Sequence, residues 1–274
     1  MLYSSILVAG FTVTSVVHSF GLWLLYVVKT LPQNQRILIF HLSAIEIVYS
    51  WIVVIDEPLS NSGKKAIISN FNHFYDFTMP LLVLVMRFAV LSIIFDRFLA
   101  IFLNIKYPLY VTSKRLAWTI AGEWFISCTC MISLTIHREN EDKDAAEEIL
   151  GPLVIVLDTI VVLSALTTYI YFFLKVIKMK MQINDSNGGQ RGVAVKKFIV
   201  PFAMVATFIL FNVTCTVLTV IYLVNHSVSE NTYDLIRDTT ILLIMAGLLS
   251  DALIYIFLQK EVRSRLFTLF KANS

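Results

Sequence analysis

The stretch VLSIIFDRFLAIFLNIKYPLYVTSKR, Val90 to Arg115, decides the fold. It is an apolar run broken once, by the adjacent acid and base Asp96 and Arg97. The run resumes for a turn and gives way to Lys106, Lys114 and Arg115. Charges are expensive in hydrocarbon, so a charge pair inside an apolar run marks the end of a membrane span or a functional site. The composition carries the same message. The 274 residues are 57% hydrophobic and 15% charged, with mean hydropathy +0.76. Soluble domains hold about 45–50% apolar and about 25% charged residues. Aromatic residues, at 13%, suit interfacial anchoring and packing between helices. Cys128, Cys130 and Cys215 all lie in apolar runs, with neither metal-site nor disulfide-framework spacing. The N-terminus has no charged region or cleavage signature, so the first apolar run is expected to remain as a span.

A bilayer core takes about 20 mainly apolar residues per helix. Seven segments qualify: Ile6–Val28, Ile37–Ile55, Phe71–Phe95, Leu116–Ile136, Ile149–Ile177, Phe198–Val224 and Thr239–Leu258. They must be helices, because lipid cannot satisfy open backbone. The alternating ten-residue strands of a barrel are missing. The expectation is an all-α membrane protein, a single seven-helix bundle over residues 1–274. The connections after spans one, three and five, plus the tail, hold fifteen Lys and Arg, from Lys29 and Arg36 to Arg265 and Lys271. The opposite loops hold five: Lys64, Lys65, Arg138, Lys143 and Arg237. The positive-inside rule then puts the N-terminus outside and the C-terminus in the cytoplasm. The acidic segment HRENEDKDAAEEIL reads as a solvated outer loop, or as an attractor of cationic ligands. Residues 260–270 suit an amphipathic helix on the inner leaflet, in contact with membrane lipids.

Charges inside the spans are functional candidates. Glu46 lies in span two and Asp251 in span seven, where they read as a cation site or a hydrogen-bonded pair. Arg87 is expected to bridge to Asp158 or Glu123 as a structural ion pair.

Several of these positions resemble the rhodopsin-like G-protein-coupled receptors over nearly the whole chain. Asp96-Arg97-Phe98 looks like that family's Asp-Arg-Tyr, and KYPLYVTSKR like its second inner loop. Leu42 to Glu46 resembles the helix-two Leu-Ala-x-x-Asp, Trp124 the helix-four Trp, and Asp251 to Tyr255 the Asn-Pro-x-x-Tyr motif. The chain also departs from the pattern. His18 replaces the helix-one Asn, Asn72 the helix-three Cys, and Phe211 to Thr214 the Cys-Trp-x-Pro of helix six. Ala194 stands where an acid usually restrains the Arg, and helix seven lacks its Pro.

The resemblance implies a plasma-membrane receptor with no covalent chemistry of its own. A ligand favours an open inner cleft, where Arg97 leaves Asp96 and meets a heterotrimeric G protein. Tyr169 and Tyr255 would stabilise that state, and sodium is the one cofactor implied, between Glu46 and Asp251. Asp76, Met79, Val83, Phe208, Phe211, Asn212 and Met245 are the pocket candidates. Met79 and Met245 disfavour amine and retinal ligands, leaving a small molecule, lipid or short peptide. No nucleic-acid partner is expected. Asn225 heads an outer-loop glycosylation sequon. The missing switch residues predict ligand-free signalling. The rival readings are a secondary transporter or ion-conducting protein using the buried carboxylates, and a receptor-like partner that does not signal. A transporter would show repeats and paired helix breaks, neither of which is found.

Overall fold

A computed structural model describes residues 2–27, 32–60, 65–103, 106–140, 144–182, 209–218 and 230–258, with isolated positions at 203, 206–207, 263–264 and 268. Nearly all of these are helical, and no strand occurs among them. In chain order the helices are α1 (Leu2–Val27), α2 (Gln33–Ser60), α3 (Lys65–Leu103), the single turn α4 (Tyr107–Tyr110), α5 (Ser113–Asn140), α6 (Asp144–Gln182) and α7 (Glu230–Leu258). A π-helical turn, Ile209–Val213, precedes α7 and runs into an α-helical stretch. Five helices, α1, α2, α3, α5 and α6, are long and apolar enough to cross a membrane. The expected sixth span is described chiefly at 209–218, and the expected seventh falls inside α7.

Two boundaries differ from the sequence expectation. The third helix does not stop at Phe95 but runs to Leu103, so Asp96 and Arg97 lie within a helix. At ~1.5 Å per residue, 39 residues span about 58 Å, well beyond a hydrocarbon core of ~30 Å. The acidic outer segment is not an open loop either. His137–Asn140 ends α5, and α6 begins at Asp144. Ala145, Ala146, Glu147 and Glu148 are strong helix formers, and that local preference extends α6 past its apolar core. Prolines interrupt two long helices. Pro80 in α3 and Pro152 in α6 have no N–H for the carbonyl four residues back.

α3 is the centre of the assembly. It packs on α2, α4, α5 and α6, while α1 joins α2 to α7 and the π-helical segment joins α7 to α6. Of the apolar window of α3, 61% is buried, against 22% for α5. The polarity is that of a membrane protein. On α5, Phe125 is 73% exposed while Ser127, two residues on, is fully buried. Thr14, Ser50, Glu123 and Asp251 are likewise interior, and Trp23, Phe40, Trp118 and Phe173 face outward. Water would drive the reverse arrangement, because burying a polar group without a partner costs free energy and exposing a large apolar one gains none. Lipid removes the second pressure and strengthens the first. Small residues let the helices close up. A Cβ on Gly10 of α1 would lie 2.1 Å from Met245 Sδ of α7.

Candidate functional site

The buried charges form three clusters. The first lies near the end of α3. Asp96 is buried and accepts from Arg97 Nε at 3.0 Å, and also from Arg97 Nη2. Side chains at i and i+1 point about 100° apart on a helix, so the long Arg97 side chain must fold back to reach its neighbour. Its Nη1 donates to Gln35 Oε1 at 3.4 Å, which ties it to the start of α2. The Tyr107 hydroxyl of α4 donates to the other oxygen, Asp96 Oδ1. Burial, and next the Asp96 carboxylate it bonds, push the Tyr107 phenol up to about 12. Asn34 Nδ2 donates to the Val111 carbonyl at 2.7 Å, and Ser113 Oγ to Asn34 Oδ1 at 3.2 Å. The entry to α2 therefore ties the end of α3 to the start of α5 through Gln35 and Asn34. Phe98 faces α6, stacking with Phe102 at 5.8 Å and tilted against Tyr171 at 5.7 Å.

The second cluster surrounds a cavity of about 160 Å³ in the middle of the bundle. Glu46, Val83, Arg87 and Asp251 line it. Arg87 Nε lies 2.9 Å from Asp158 Oδ1, and Nη2 donates to Oδ2 at 3.4 Å. The Thr216 hydroxyl also donates to Asp158 Oδ2. Arg87 Nη1 donates to the Val83 carbonyl at 3.2 Å. Glu46 Oε2 lies 3.3 Å from His18 Nδ1, and His18 Nε2 lies 2.8 Å from the Leu248 carbonyl oxygen. Asp251 Oδ1 accepts from the Thr207 hydroxyl at 2.6 Å. The cavity has room for a few waters, at ~30 Å³ each, and is smaller than the ~300–1,000 Å³ of organic-ligand pockets.

Glu123 sits apart from Arg87, in a third cluster between α2, α3 and α5. It accepts from Ser92 Oγ and lies 3.6 Å from His41 Nδ1. Trp124 Nε1 donates to His41 Nε2 at 3.0 Å. Of the candidates for the structural ion pair, the geometry therefore brings Arg87 to Asp158 and places Glu123 elsewhere.

Among the expected pocket residues, Val83 lines the central cavity, while Met79 is buried in the hydrophobic core and Asp76 is exposed. Phe211 packs on Gly247 and Met245 on Gly10, both at helix seams. Phe208 and Asn225 lie outside the described residues, as do the side chains of Asn212 and Tyr255. Tyr169 packs partly buried against the core. The side chains of Lys175, Lys178 and Lys180 on α6 lie outside the described residues, as do Lys196, Lys197 and most of 260–270.

Sodium between Glu46 and Asp251 is a poor match to this donor set. One oxygen of Glu46 is directed at an imidazole nitrogen and one of Asp251 at a hydroxyl. Among the described residues, no group of three or more His, Cys, Asp or Glu side chains is placed to hold a metal ion. Sequence reasoning had no signal for Gln35, His41, Tyr107, Thr207 or Thr216, because each acts through a contact distant in the chain. No family model matches this chain, and no curated protein matches it.

Proposed function

We propose that this multi-pass helical membrane protein is a receptor of the rhodopsin-like G-protein-coupled type. It has seven crossings, an outer N-terminus and a cytoplasmic C-terminus, and it resides in the plasma membrane. A small-molecule, lipid or peptide ligand shifts it toward a state that promotes nucleotide exchange on a heterotrimeric G protein. The observation that carries the reading is the Asp96–Arg97 pair. It sits on the most enclosed of the five long apolar helices, and among the described residues its guanidinium is held by the adjacent carboxylate and by Gln35 at 3.4 Å. A cation retained by its own neighbour can be released without dismantling the core. The Lys and Arg bias of the loops on that side supports a cytoplasmic position for it. The π-helical turn at Ile209–Val213 adds support, since such turns weaken a helix locally and recur at functional sites.

Release of Arg97 exposes a cation to the partner when α3 and the sixth crossing separate. A ligand drives that change only by its differential affinity for the two states. Ala194, at the position where the resembled family carries an acid that restrains the Arg, gives measurable exchange without ligand. The test is GTP-analogue loading on a panel of purified G proteins, using the protein in lipid nanodiscs, with a broad ligand screen and an Arg97→Ala control. Loading above the lipid-only baseline that is lost in Arg97→Ala supports the receptor reading. Loading at the lipid-only level for both proteins, across the panel and the screen, overturns it.

A further inference from the structure

Buried donors and acceptors have to be matched, and at His18 that requirement locates a proton. The Leu248 carbonyl of α7 can only accept, so His18 Nε2, 2.8 Å away, carries hydrogen. Nδ1 is buried and makes no hydrogen bond as placed; the acidic oxygen beside it is Glu46 Oε2, at 3.3 Å. Two arrangements would give this orphaned nitrogen a partner. In one, Nδ1 is bare and Glu46 is a carboxylic acid donating to it. In the other, Nδ1 carries the hydrogen, His18 is an imidazolium and Glu46 is a carboxylate. A bare nitrogen facing a carboxylate would set acceptor against acceptor in a site with almost no solvent contact, where His18 and Glu46 are each 2% exposed. Both permitted arrangements hold one proton on the Nδ1–Oε2 axis and no net charge.

We infer that His18 and Glu46 form a proton-binding dyad that joins α1, α2 and α7, and that this proton, not a metal ion, balances the Glu46 carboxylate. The surroundings agree. Arg87, which lines the same cavity, is engaged by Asp158 at 2.9 Å and so is not spent on Glu46. Asp251, also in the wall, is bonded to Thr207. His41 provides an internal contrast. There the Trp124 indole N–H donates to Nε2, so His41 is neutral and protonated at Nδ1, the opposite tautomer. The dyad does not depend on the receptor reading. It accounts for a histidine on α1 facing a glutamate on α2, a pairing that a sodium site would not need.

The experiment uses the full chain in lipid vesicles, in sodium and potassium buffers of equal ionic strength. Nitrogen-15 NMR of labelled histidines reads the proton count on His18, assigned by the signal lost in His18→Asn. If that variant fails to fold, a cross-peak to carbon-13 at Glu46 Cδ makes the assignment. The infrared difference between the parent and Glu46→Gln reads acid against carboxylate at Glu46. A neutral imidazole protonated at Nε2 beside a carboxylic acid, or an imidazolium beside a carboxylate, unchanged between the two buffers, is the expected result. A neutral imidazole beside a carboxylate, an imidazolium beside an acid, or a state that changes with sodium overturns the dyad. None of these readouts involves a G protein, so failure here and failure of the receptor reading are separable.

Discussion

Asp158 offers the sharpest energetic test of the interior. Its Oδ1 forms an ion pair with Arg87 Nε at 2.9 Å, and its Oδ2 accepts from Arg87 Nη2 at 3.4 Å and from the Thr216 hydroxyl. Both charged side chains are buried, at 9% and 3% exposure. Asp158→Ala leaves the guanidinium enclosed without its counter-charge, and breaking a buried pair in this way costs about 3–5 kcal/mol. At ~2 °C per kcal/mol for a chain of this size, the melting temperature should fall by roughly 6–10 °C. Replacing both partners, as in Arg87→Met with Asp158→Ala, removes the uncompensated charge and should recover most of that loss. The cycle therefore predicts a coupling of about 3 kcal/mol, at the upper end of the range for contacting residues. Cys215 is a suitable reporter. It is buried next to this cluster, with its Sγ 3.6 Å from the Thr240 carbonyl oxygen. A thiol-reactive fluorophore, in a background with Cys128 and Cys130 changed to serine, follows unfolding as Cys215 becomes accessible. Additive effects of the two single changes, or a fall below about 2 °C for Asp158→Ala, would refute the pairing as an energetic unit.

Three further outcomes follow from named contacts. In an ultraviolet difference titration between the parent and Tyr107→Phe, the Tyr107 phenol should ionise near pH 12 rather than 10. Because the folded value is the higher one, the stability that Tyr107 contributes is present below about pH 10 and lost as pH rises toward 12; a phenol titrating at 10 would remove the buried contact with Asp96. Gly10→Ala places a Cβ 2.1 Å from Met245 Sδ, the far end of a flexible side chain that can turn aside, so thermal unfolding should change by less than about 1 kcal/mol; a loss above about 3 kcal/mol would show Met245 fixed in the α1–α7 seam. Trp124→Phe keeps the aromatic ring beside His41 but leaves His41 Nε2 without its donor, at a cost of about 1–3 kcal/mol, and a change under about 0.5 kcal/mol would argue against that tautomer.

For the five long apolar helices, the helical state was legible without coordinates, because the test is local. A run such as Phe74–Leu103 is apolar over more than the thickness of a bilayer, and lipid leaves the backbone no other arrangement. Glu46, Arg87, Asp158, Glu123 and Asp251 also stood out as interior charges on the same ground, since each interrupts an apolar run. Helix ends were less legible. α3 carries eight residues beyond Phe95, and Ala- and Glu-rich sequence extends α6, because intrinsic propensity continues a helix where hydropathy has already ended.

Partners belonged to the tertiary structure alone. From the chain, Arg87 could meet Asp158 or Glu123, and Glu46 pointed to Asp251. The packing of α3 against α6 brings Asp158 to Arg87, and the packing of α5 against α2 and α3 commits Glu123 to Ser92 and His41. The approach of α1 to α2 sets His18 against Glu46. Hydropathy is a property of one segment, whereas a hydrogen bond needs two atoms within about 3 Å, and which faces of the helices meet is decided by how all of them pack together.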